Sequence, residues 1–147
     1  MPTPDVVEVL LVEDQAADGQ LILRALRAKN LGDNVLWARD GASALDFLLG
    51  TGSYAGQRIE RHLKLVLLDV KLPKVDGIEV LQTIRSTPEL QTIPVVMLTS
   101  SPERRDIARS YAAGANSYIV KPVDFDELID VVSTTIVYWM LYNHAPE

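Results

Sequence analysis

Leu65-Val66-Leu67-Leu68-Asp69, with the loop at 70–77 that follows it, is the stretch that decides the fold. Four consecutive aliphatic residues are typical of a strand buried on both faces, as in a parallel sheet. This strand ends at a single carboxylate, and open α/β sheets bind ligands at the carboxyl ends of their strands. Asp69 is therefore either a site residue or a solvated strand-end residue that begins a turn.

The chain has the length of one globular domain over residues 1–147, and we expect a flexible N-terminus at 1–5 and no effector domain after the last helix. It is 48% hydrophobic and 23% charged, and it contains no cysteine, which excludes a disulfide, a thiolate metal site and a thiol nucleophile. The net charge of −6 argues against binding nucleic acid through its phosphates.

The sequence predicts neither a signal peptide nor a membrane span. The N-terminus lacks the basic region of a signal peptide, and the apolar run at 128–142 is short and is interrupted by Asp130. We expect a cytoplasmic location, which the absence of cysteine permits.

Strand and helix patterns alternate five times along the chain. The predicted strands span 6–12, 35–38, 65–69, 93–99 and 116–120, and the predicted helices span 16–29, 41–49, 77–85, 102–113 and 124–143. Asp76 and Ser101 are the expected N-caps of the third and fourth helices, and Gly50 is the expected C-cap of the second. The alternation predicts an α/β fold with a doubly wound parallel sheet and right-handed crossovers.

Polar side chains follow four of these strands. Glu13-Asp14 follows the first, Asp69 the third, Thr99 ends the fourth, and Lys121 follows the fifth. In a parallel sheet these ends share one edge, and a hard cation such as Mg²⁺ relieves the repulsion between carboxylates gathered there. A carboxylate can also attack phosphorus to give an aspartyl phosphate, whose oxygens a metal, an ammonium and a hydroxyl could hold.

Each of these residues also has a purely structural interpretation. Glu13-Asp14 could be a solvated helix start, Thr99 an ordinary β-branched strand residue, and Lys121 a surface lysine. Tyr118 could be simple core packing.

The pattern as a whole resembles the receiver domain of two-component response regulators, over nearly the entire chain. The residues that carry the resemblance by their order and spacing are Glu13-Asp14, Asp69, Pro73, Asp76-Gly77, Thr99, Tyr118 and Lys121-Pro122. The resemblance implies a flavodoxin-like (βα)5 fold with the strand order 2-1-3-4-5. It also implies a signalling domain whose only chemistry is its own phosphorylation and dephosphorylation, and not an enzyme.

The resemblance further implies a metal and phosphoryl site. Asp69 would be the phosphoacceptor, and Asp14 would bind Mg²⁺ directly. Glu13 would act through a metal-bound water, and Lys71 would offer its backbone carbonyl to the metal.

A switch is implied in the same way. Lys121 would pair with the phosphoryl group, and Thr99 would hydrogen-bond to it. Tyr118 would change its packing when Thr99 moves, and the Lys121–Pro122 peptide would be cis.

The last predicted helix is apolar on every side near its end, where it carries Ile136, Tyr138, Trp139 and Leu141. Exposed apolar surfaces rich in aromatic residues mark interfaces, so we expect a homodimer through this helix. The alternative is that the helix frays or folds back. The stretches Gly52-Ser53-Tyr54, Thr99-Ser100-Ser101 and Tyr138-Trp139 carry a narrower resemblance, to single-domain regulators of bacterial phytochrome kinases. This resemblance implies a sensor histidine kinase of that class as partner.

Three rival functions remain on this fold. One is a phosphate sink that drains a kinase and has no downstream target. A second is a Mg²⁺-dependent aspartyl-phosphate hydrolase, but such enzymes carry a second Asp two residues after the nucleophile, where this chain has Lys71. The third is a flavin-binding module, but Glu13-Asp14 would repel the flavin phosphate.

Overall fold

The structure is a computed structural model that describes residues 6–56 and 62–146, so the predicted flexible N-terminus at 1–5 lies outside the described residues. Within these ranges the chain forms a five-stranded parallel sheet in the order β2-β1-β3-β4-β5, which confirms the predicted 2-1-3-4-5 order. The strands are β1 (Val9–Val12), β2 (Val35–Ala38), β3 (Leu65–Leu68), β4 (Val95–Thr99) and β5 (Ser117–Val120).

Helices cover both faces of the sheet and follow the strands in turn. They are α1 (Ala16–Ala28), α2 (Gly41–Leu49), α3 (Gly77–Ser86), α4 (Arg104–Ala112) and α5 (Phe125–Val137). A short 3₁₀ turn, Gly52–Tyr54, follows α2, and a π-helical turn, Tyr138–Tyr142, continues α5. Side chains of α1 and α5 pack on one face of the sheet, and those of α2 and α3 pack on the other.

The continuous aliphatic runs in β1 and β3 result from this double coverage. Along β1, Leu10 and Val12 point to the face under α2 and α3, whereas Val9 and Leu11 point to the face under α1 and α5. All four β3 residues are buried as well. Because alternate residues of a strand face opposite ways, a strand covered on both sides needs apolar residues at every position.

One helix start differs from the prediction, and one predicted N-cap makes no side-chain hydrogen bond. Helix α4 begins at Arg104 with Glu103 as its N-cap, two residues later than expected, because the Ser101 hydroxyl donates to Asp106 in place of capping the helix. Asp76 does occupy the N-cap of α3, but its side chain makes no capping hydrogen bond.

Other helix ends agree with the sequence. The Asp124 carboxylate accepts hydrogen bonds from the backbone N–H groups of Asp126 and Glu127 at the start of α5. Gly50 ends α2 in the left-handed conformation, with a φ of 66°.

The predicted helix at 124–143 is divided into α5 and the π-helical turn. Within the described residues, no helix combines the length and apolar character that a membrane crossing requires.

Candidate functional site

Three carboxylates meet at the carboxyl edge of the sheet. Glu13 and Asp14 follow β1, and Asp69 follows β3, its immediate neighbour in the sheet. One carboxylate oxygen from each lies within 4.8 Å of the other two. Glu13 and Asp69 are buried, whereas Asp14 is exposed. The three predicted acidic residues are therefore brought together, with one open side.

A lysine ammonium lies among these carboxylates. Lys121 extends from the end of β5, and its Nζ donates a hydrogen bond to Glu13 Oε1. The same Nζ lies 3.5 Å from Asp69 Oδ2. A further carboxylate, Asp18 in the first turn of α1, has its Oδ2 3.6 Å from this Nζ. Asp18 was not predicted from the sequence, although its place one helical turn after Asp14 could have indicated it.

The electrostatics of this group depend on burial and charge. Burial raises the pKa of Glu13, although the hydrogen bonds from Lys121 and the Gln15 amide, and the charge of Lys121, oppose the rise. Burial alone would lower the pKa of Lys121, but its hydrogen bond to Glu13 and the nearby negative charges raise it. The ammonium therefore stays charged at neutral pH.

Asp14 and Asp69, but not Glu13, line a cavity of about 430 Å³. The residues that line it are Asp14, Gln15, Asp69, Lys71, Thr99, Ser100, Ser101, Pro102, Glu103 and Lys121. Lys71 is at the rim, and its backbone N–H lies 3.4 Å from Asp69 Oδ1. Thr99 is buried at the end of β4. The cavity thus presents carboxylates, an ammonium and a hydroxyl to one small space.

The predicted switch residues are joined through Ser101, which the sequence predicted only as an N-cap of the fourth helix. Tyr118 is half-buried, and its hydroxyl donates to the Ser101 carbonyl oxygen over 2.8 Å. The Ser101 backbone N–H lies 3.4 Å from Thr99 Oγ1. Burial raises the pKa of Tyr118, so the phenol stays protonated as this donor at neutral pH.

The Lys121–Pro122 peptide is trans, because the described residues contain no cis peptide bond. The expectation of a cis bond at this position was wrong. It came from the resemblance alone, and the trans form is the lower-energy state of most X–Pro bonds, by about 0.5–1 kcal/mol.

Neighbouring residues pack closely against the backbone of Asp69 and Glu13. A Cβ at Gly77 would lie 1.9 Å from the Asp69 carbonyl oxygen, so only glycine fits there. On the other side, the Trp37 indole N–H donates to the Glu13 carbonyl oxygen over 2.8 Å. These contacts fix the backbone that carries two of the carboxylates.

The residues predicted for a dimer interface divide into two groups. Ile136 is 1% exposed and packs in the core with α1, so it is not available to a partner. Trp139 is half-buried against the same core cluster. Tyr138 and Leu141 are exposed, by 50% and 72%. Tyr142, 70% exposed, extends this surface and was not predicted.

The comparison with known families decides the class of this site. Residues 9–133 match the family described as response regulator receiver domain. The chain belongs to this family. The receiver domain is thus a signalling domain, as the resemblance implied.

Two named relatives match the receiver domain over most of their length. The probable methanogenesis regulatory protein FilR2 of Methanothrix harundinacea is 42% identical over 139 residues, which cover 94% of this chain and 86% of FilR2. Response regulator Rcp1 of Synechocystis sp. is 36% identical over 132 residues, which cover 90% of this chain and 88% of Rcp1.

Solved structures agree with the fold and with the class of regulator. The phosphorylated cyanobacterial phytochrome response regulator RcpA has a TM-score of 0.87 and 37% identity, covering 97% of this chain and 99% of RcpA. The bacteriophytochrome response regulator AtBRR is 47% identical, with a TM-score of 0.71, covering 96% of this chain and 100% of AtBRR. The receiver domain is therefore related to phytochrome response regulators.

The acidic cluster fits a divalent cation. Glu13, Asp14 and Asp69 offer hard oxygen donors within 4.8 Å of one another, and one side of the group is open to solvent. The Mn(2+)-bound form of Rcp1 has a TM-score of 0.84 and 35% identity with the receiver domain, covering 96% of this chain and 99% of that one.

Proposed function

We propose that this receiver domain accepts a phosphoryl group on Asp69 from a sensor histidine kinase, and that Mg²⁺ occupies the acidic pocket. The observation that carries the proposal is that three carboxylates meet beside the Lys121 ammonium, and that Asp14, Asp69 and Lys121 of this group line one cavity. A buried carboxylate beside a fixed positive charge is suited to attack a phosphoryl group whose negative charge it would otherwise repel.

In the proposed reaction, an Asp69 oxygen forms a bond to phosphorus while the bond from phosphorus to the donor nitrogen breaks. The electron pair of that bond stays on the nitrogen, so the phosphoryl group moves without a change in oxidation state. Lys121, 3.5 Å from Asp69 Oδ2, compensates the charge that arrives. Asp14, Asp69 and the Lys71 carbonyl would hold Mg²⁺ directly and Glu13 through water, and the metal would neutralise phosphoryl oxygens.

The phosphoryl group then biases an existing equilibrium between two conformations. It replaces one negative charge with about two and adds acceptor oxygens. Thr99, which lines the cavity, donates its hydroxyl to one of these oxygens. Tyr118 responds to the movement of Thr99, and the surface formed by α4, β5 and α5 carries the signal to a protein partner.

Mass spectrometry after incubation with Mg²⁺ and a small phosphodonor tests the proposal. We expect the wild-type protein to gain one phosphoryl group and Asp69→Asn to gain none, because the amide nitrogen and oxygen are poor nucleophiles. Asp33→Asn, an exposed carboxylate in the loop before β2, is the matched control and should label like the wild type. Undiminished labelling of Asp69→Asn would refute the assignment.

We propose a phytochrome-type kinase as the phosphoryl donor, because RcpA and AtBRR are described as phytochrome and bacteriophytochrome response regulators. The chain is also similar to FilR2, described as a probable methanogenesis regulatory protein. A sensor kinase that is not a phytochrome is therefore the donor to compare. Phosphotransfer from purified kinases of both classes, compared at short times, would distinguish them. Faster transfer from the non-phytochrome kinase would contradict this part of the proposal.

We also propose a homodimer through the surface formed by Tyr138, Leu141 and Tyr142. These exposed apolar side chains lie in the single π-helical turn that continues α5, and burying one large apolar side chain is worth about 1.5–3 kcal/mol. Leu141→Glu should therefore weaken the dimer by about 10-fold or more, measured by light scattering over a concentration series.

Leu141 is a better probe of this surface than Trp139. Trp139 packs against the core, so its substitution could weaken the dimer simply by destabilising the fold. Tyr111→Glu, at a 51% exposed residue of α4, is the control for a charge added at an exposed aromatic residue elsewhere. Equal dimer affinity in Leu141→Glu and the wild type would place the interface elsewhere.

A further inference from the structure

Ser101, in the loop between β4 and α4, contacts both predicted switch residues through its backbone. Its carbonyl oxygen accepts from the Tyr118 hydroxyl over 2.8 Å, and its N–H lies 3.4 Å from Thr99 Oγ1. Ser101 also lines the cavity that contains Asp69. Any displacement of this one residue therefore changes the surroundings of Thr99 and Tyr118 together.

The position of Ser101 is fixed from α4 by a buried carboxylate. Ser101 Oγ donates to Asp106 Oδ2 over 2.6 Å, and the Glu103 backbone N–H donates to the same Oγ over 3.3 Å. Asp106 is 5% exposed. Arg109 Nη1 lies 3.9 Å from its other oxygen, Oδ1.

The buried side of α4 has an unusual composition. Its buried residues are Asp106 and Ser110, both polar, whereas a helix on a sheet normally buries apolar residues. The Ser110 hydroxyl donates to the Asp106 backbone carbonyl over 2.8 Å, so it supports the helix and does not reach the loop. Burying a carboxylate has a solvation cost that hydrogen bonds must offset, and the Ser101 hydroxyl supplies the short one.

We infer that Asp106 is a positioning residue for the switch. Its carboxylate holds Ser101 where the loop touches Thr99 and Tyr118, so that a movement of Thr99 is transmitted to α4. This role rests on the proposed function, because it concerns the conformational response to phosphoryl uptake on Asp69. Asp106 does not line the cavity and does not belong to the acidic cluster. Its removal therefore leaves the residues that would transfer the phosphoryl group to Asp69 in place.

Removal of the carboxylate leaves Ser101 without its short side-chain anchor. Tyr118 then loses a fixed acceptor, and the loop can adapt to the phosphoryl group without moving α4. We expect a protein that is phosphorylated normally but responds weakly.

A spectroscopic double-mutant cycle tests this role. The wild type, Asp106→Ala, Ser101→Ala and the double variant are labelled with fluorotyrosine, and the Tyr118 signal is assigned with Tyr118→Phe. Each protein is phosphorylated with a small phosphodonor and Mg²⁺, and uptake is measured by mass in the same sample. In each single variant the phosphorylation-induced shift of the Tyr118 signal, scaled to the fraction phosphorylated in the same sample, should fall by about twofold or more. The double variant should lose no more than either single variant, since both substitutions remove the same bond.

Two control variants separate this role from a general loss of stability. Ser110→Ala removes a buried hydroxyl from the same helix and should keep the full Tyr118 response. Asp106→Asn retains an acceptor for Ser101 and should restore most of it. If Asp106→Ala does not fold, Ser101→Ala breaks the same bond from the loop and leaves the buried side of α4 unchanged.

A full Tyr118 response in both single variants, or additive losses in the double variant, would overturn the role of Asp106. A wild type that takes up no phosphoryl group would instead overturn the proposed function, and this inference with it.

Discussion

Lys121 illustrates, at the residue scale, how one side chain supports both the fold and the site. Its ammonium is buried with Glu13 and near Asp69, and the hydrogen bond and charges around it raise its pKa. Removing one member of a buried ion pair typically costs about 3–5 kcal/mol, since the other charge is left uncompensated. A substitution of Lys121 would therefore lower both stability and function, and the two effects could not be told apart. Asp69→Asn is the sharper test of phosphoryl uptake.

Asp40, also at the residue scale, contributes to stability without being part of the acidic cluster. Its Oδ1 accepts from the Ser43 backbone N–H over 2.7 Å at the start of α2. This hydrogen bond, followed by the charge of Lys74, lowers the pKa of Asp40 below its ordinary value of 3.8, although burial opposes the shift. Asp40→Ala should lower the free energy of unfolding by about 1 kcal/mol at pH 7, measured by urea denaturation.

The pH dependence of this effect has a definite sign. A carboxylate whose pKa is lowered by folding stabilises the protein above its unfolded pKa, and that stabilisation is lost as the pH falls through the folded pKa. The difference between Asp40→Ala and the wild type should therefore shrink below about pH 4. Asp40→Asn, which retains a capping oxygen, should cost less than alanine at pH 7. A difference that is constant between pH 7 and pH 3 would contradict this account.

At the element scale, the start of α2 supports the loop between β3 and α3. The Gly41 N–H lies 3.4 Å from the Pro73 carbonyl oxygen, and Asp40 Oδ2 lies 3.5 Å from Lys74 Nζ. Lys74 itself has a φ of 69°, in the left-handed region that non-glycine residues rarely adopt. The loop that carries Lys71 to the cavity is therefore held against a neighbouring helix.

Gly41→Ala should disturb this support. A Cβ at Gly41 would lie 1.9 Å from the Val75 carbonyl oxygen, so the loop or the helix must move. We expect Mn²⁺ binding to weaken by about 10-fold, the lower end of effects from residues behind metal ligands, measured by titration calorimetry. Leu49→Ala, at the exposed far end of α2, is the control and should bind as the wild type does. Unchanged affinity in Gly41→Ala would show that the loop does not set the metal site.

At the scale of the whole molecule, the acidic cluster links cation binding to stability. The ends of β1 and β3 gather like charges in the folded state alone, so a cation bound there stabilises that state. Mg²⁺ at about 100 times its dissociation constant should add about 2.7 kcal/mol to the free energy of unfolding and raise Tm.

Asp14→Asn removes the exposed carboxylate of the cluster and should abolish most of this increase, measured by thermal melts with and without a chelator. Asp33→Asn changes the net charge equally and lies outside the cluster, so it should retain the increase. An equal increase in both variants would mean that Mg²⁺ acts through general screening and not at this site.

The sequence by itself determined the sheet and its chemically active edge. The aliphatic runs at 9–12 and 65–68 are typical of strands covered on both faces, and the alternation with helical patterns predicts a parallel sheet. Parallel strands end at one edge, so Glu13, Asp69 and Lys121 could be placed at the same edge from their positions after strands, whereas the order that makes β1 and β3 neighbours was implied by the family resemblance. These predictions depend on backbone periodicity, which nearby residues encode.

The tertiary structure alone decided the contacts between elements that are far apart in the chain. Whether Ser101 caps α4 or bonds to Asp106, whether Asp18 reaches Lys121, and whether Ile136 faces the core all depend on where helices begin and how they sit on the sheet. Such contacts are set by packing among several elements at once, so no local pattern in the sequence specifies them.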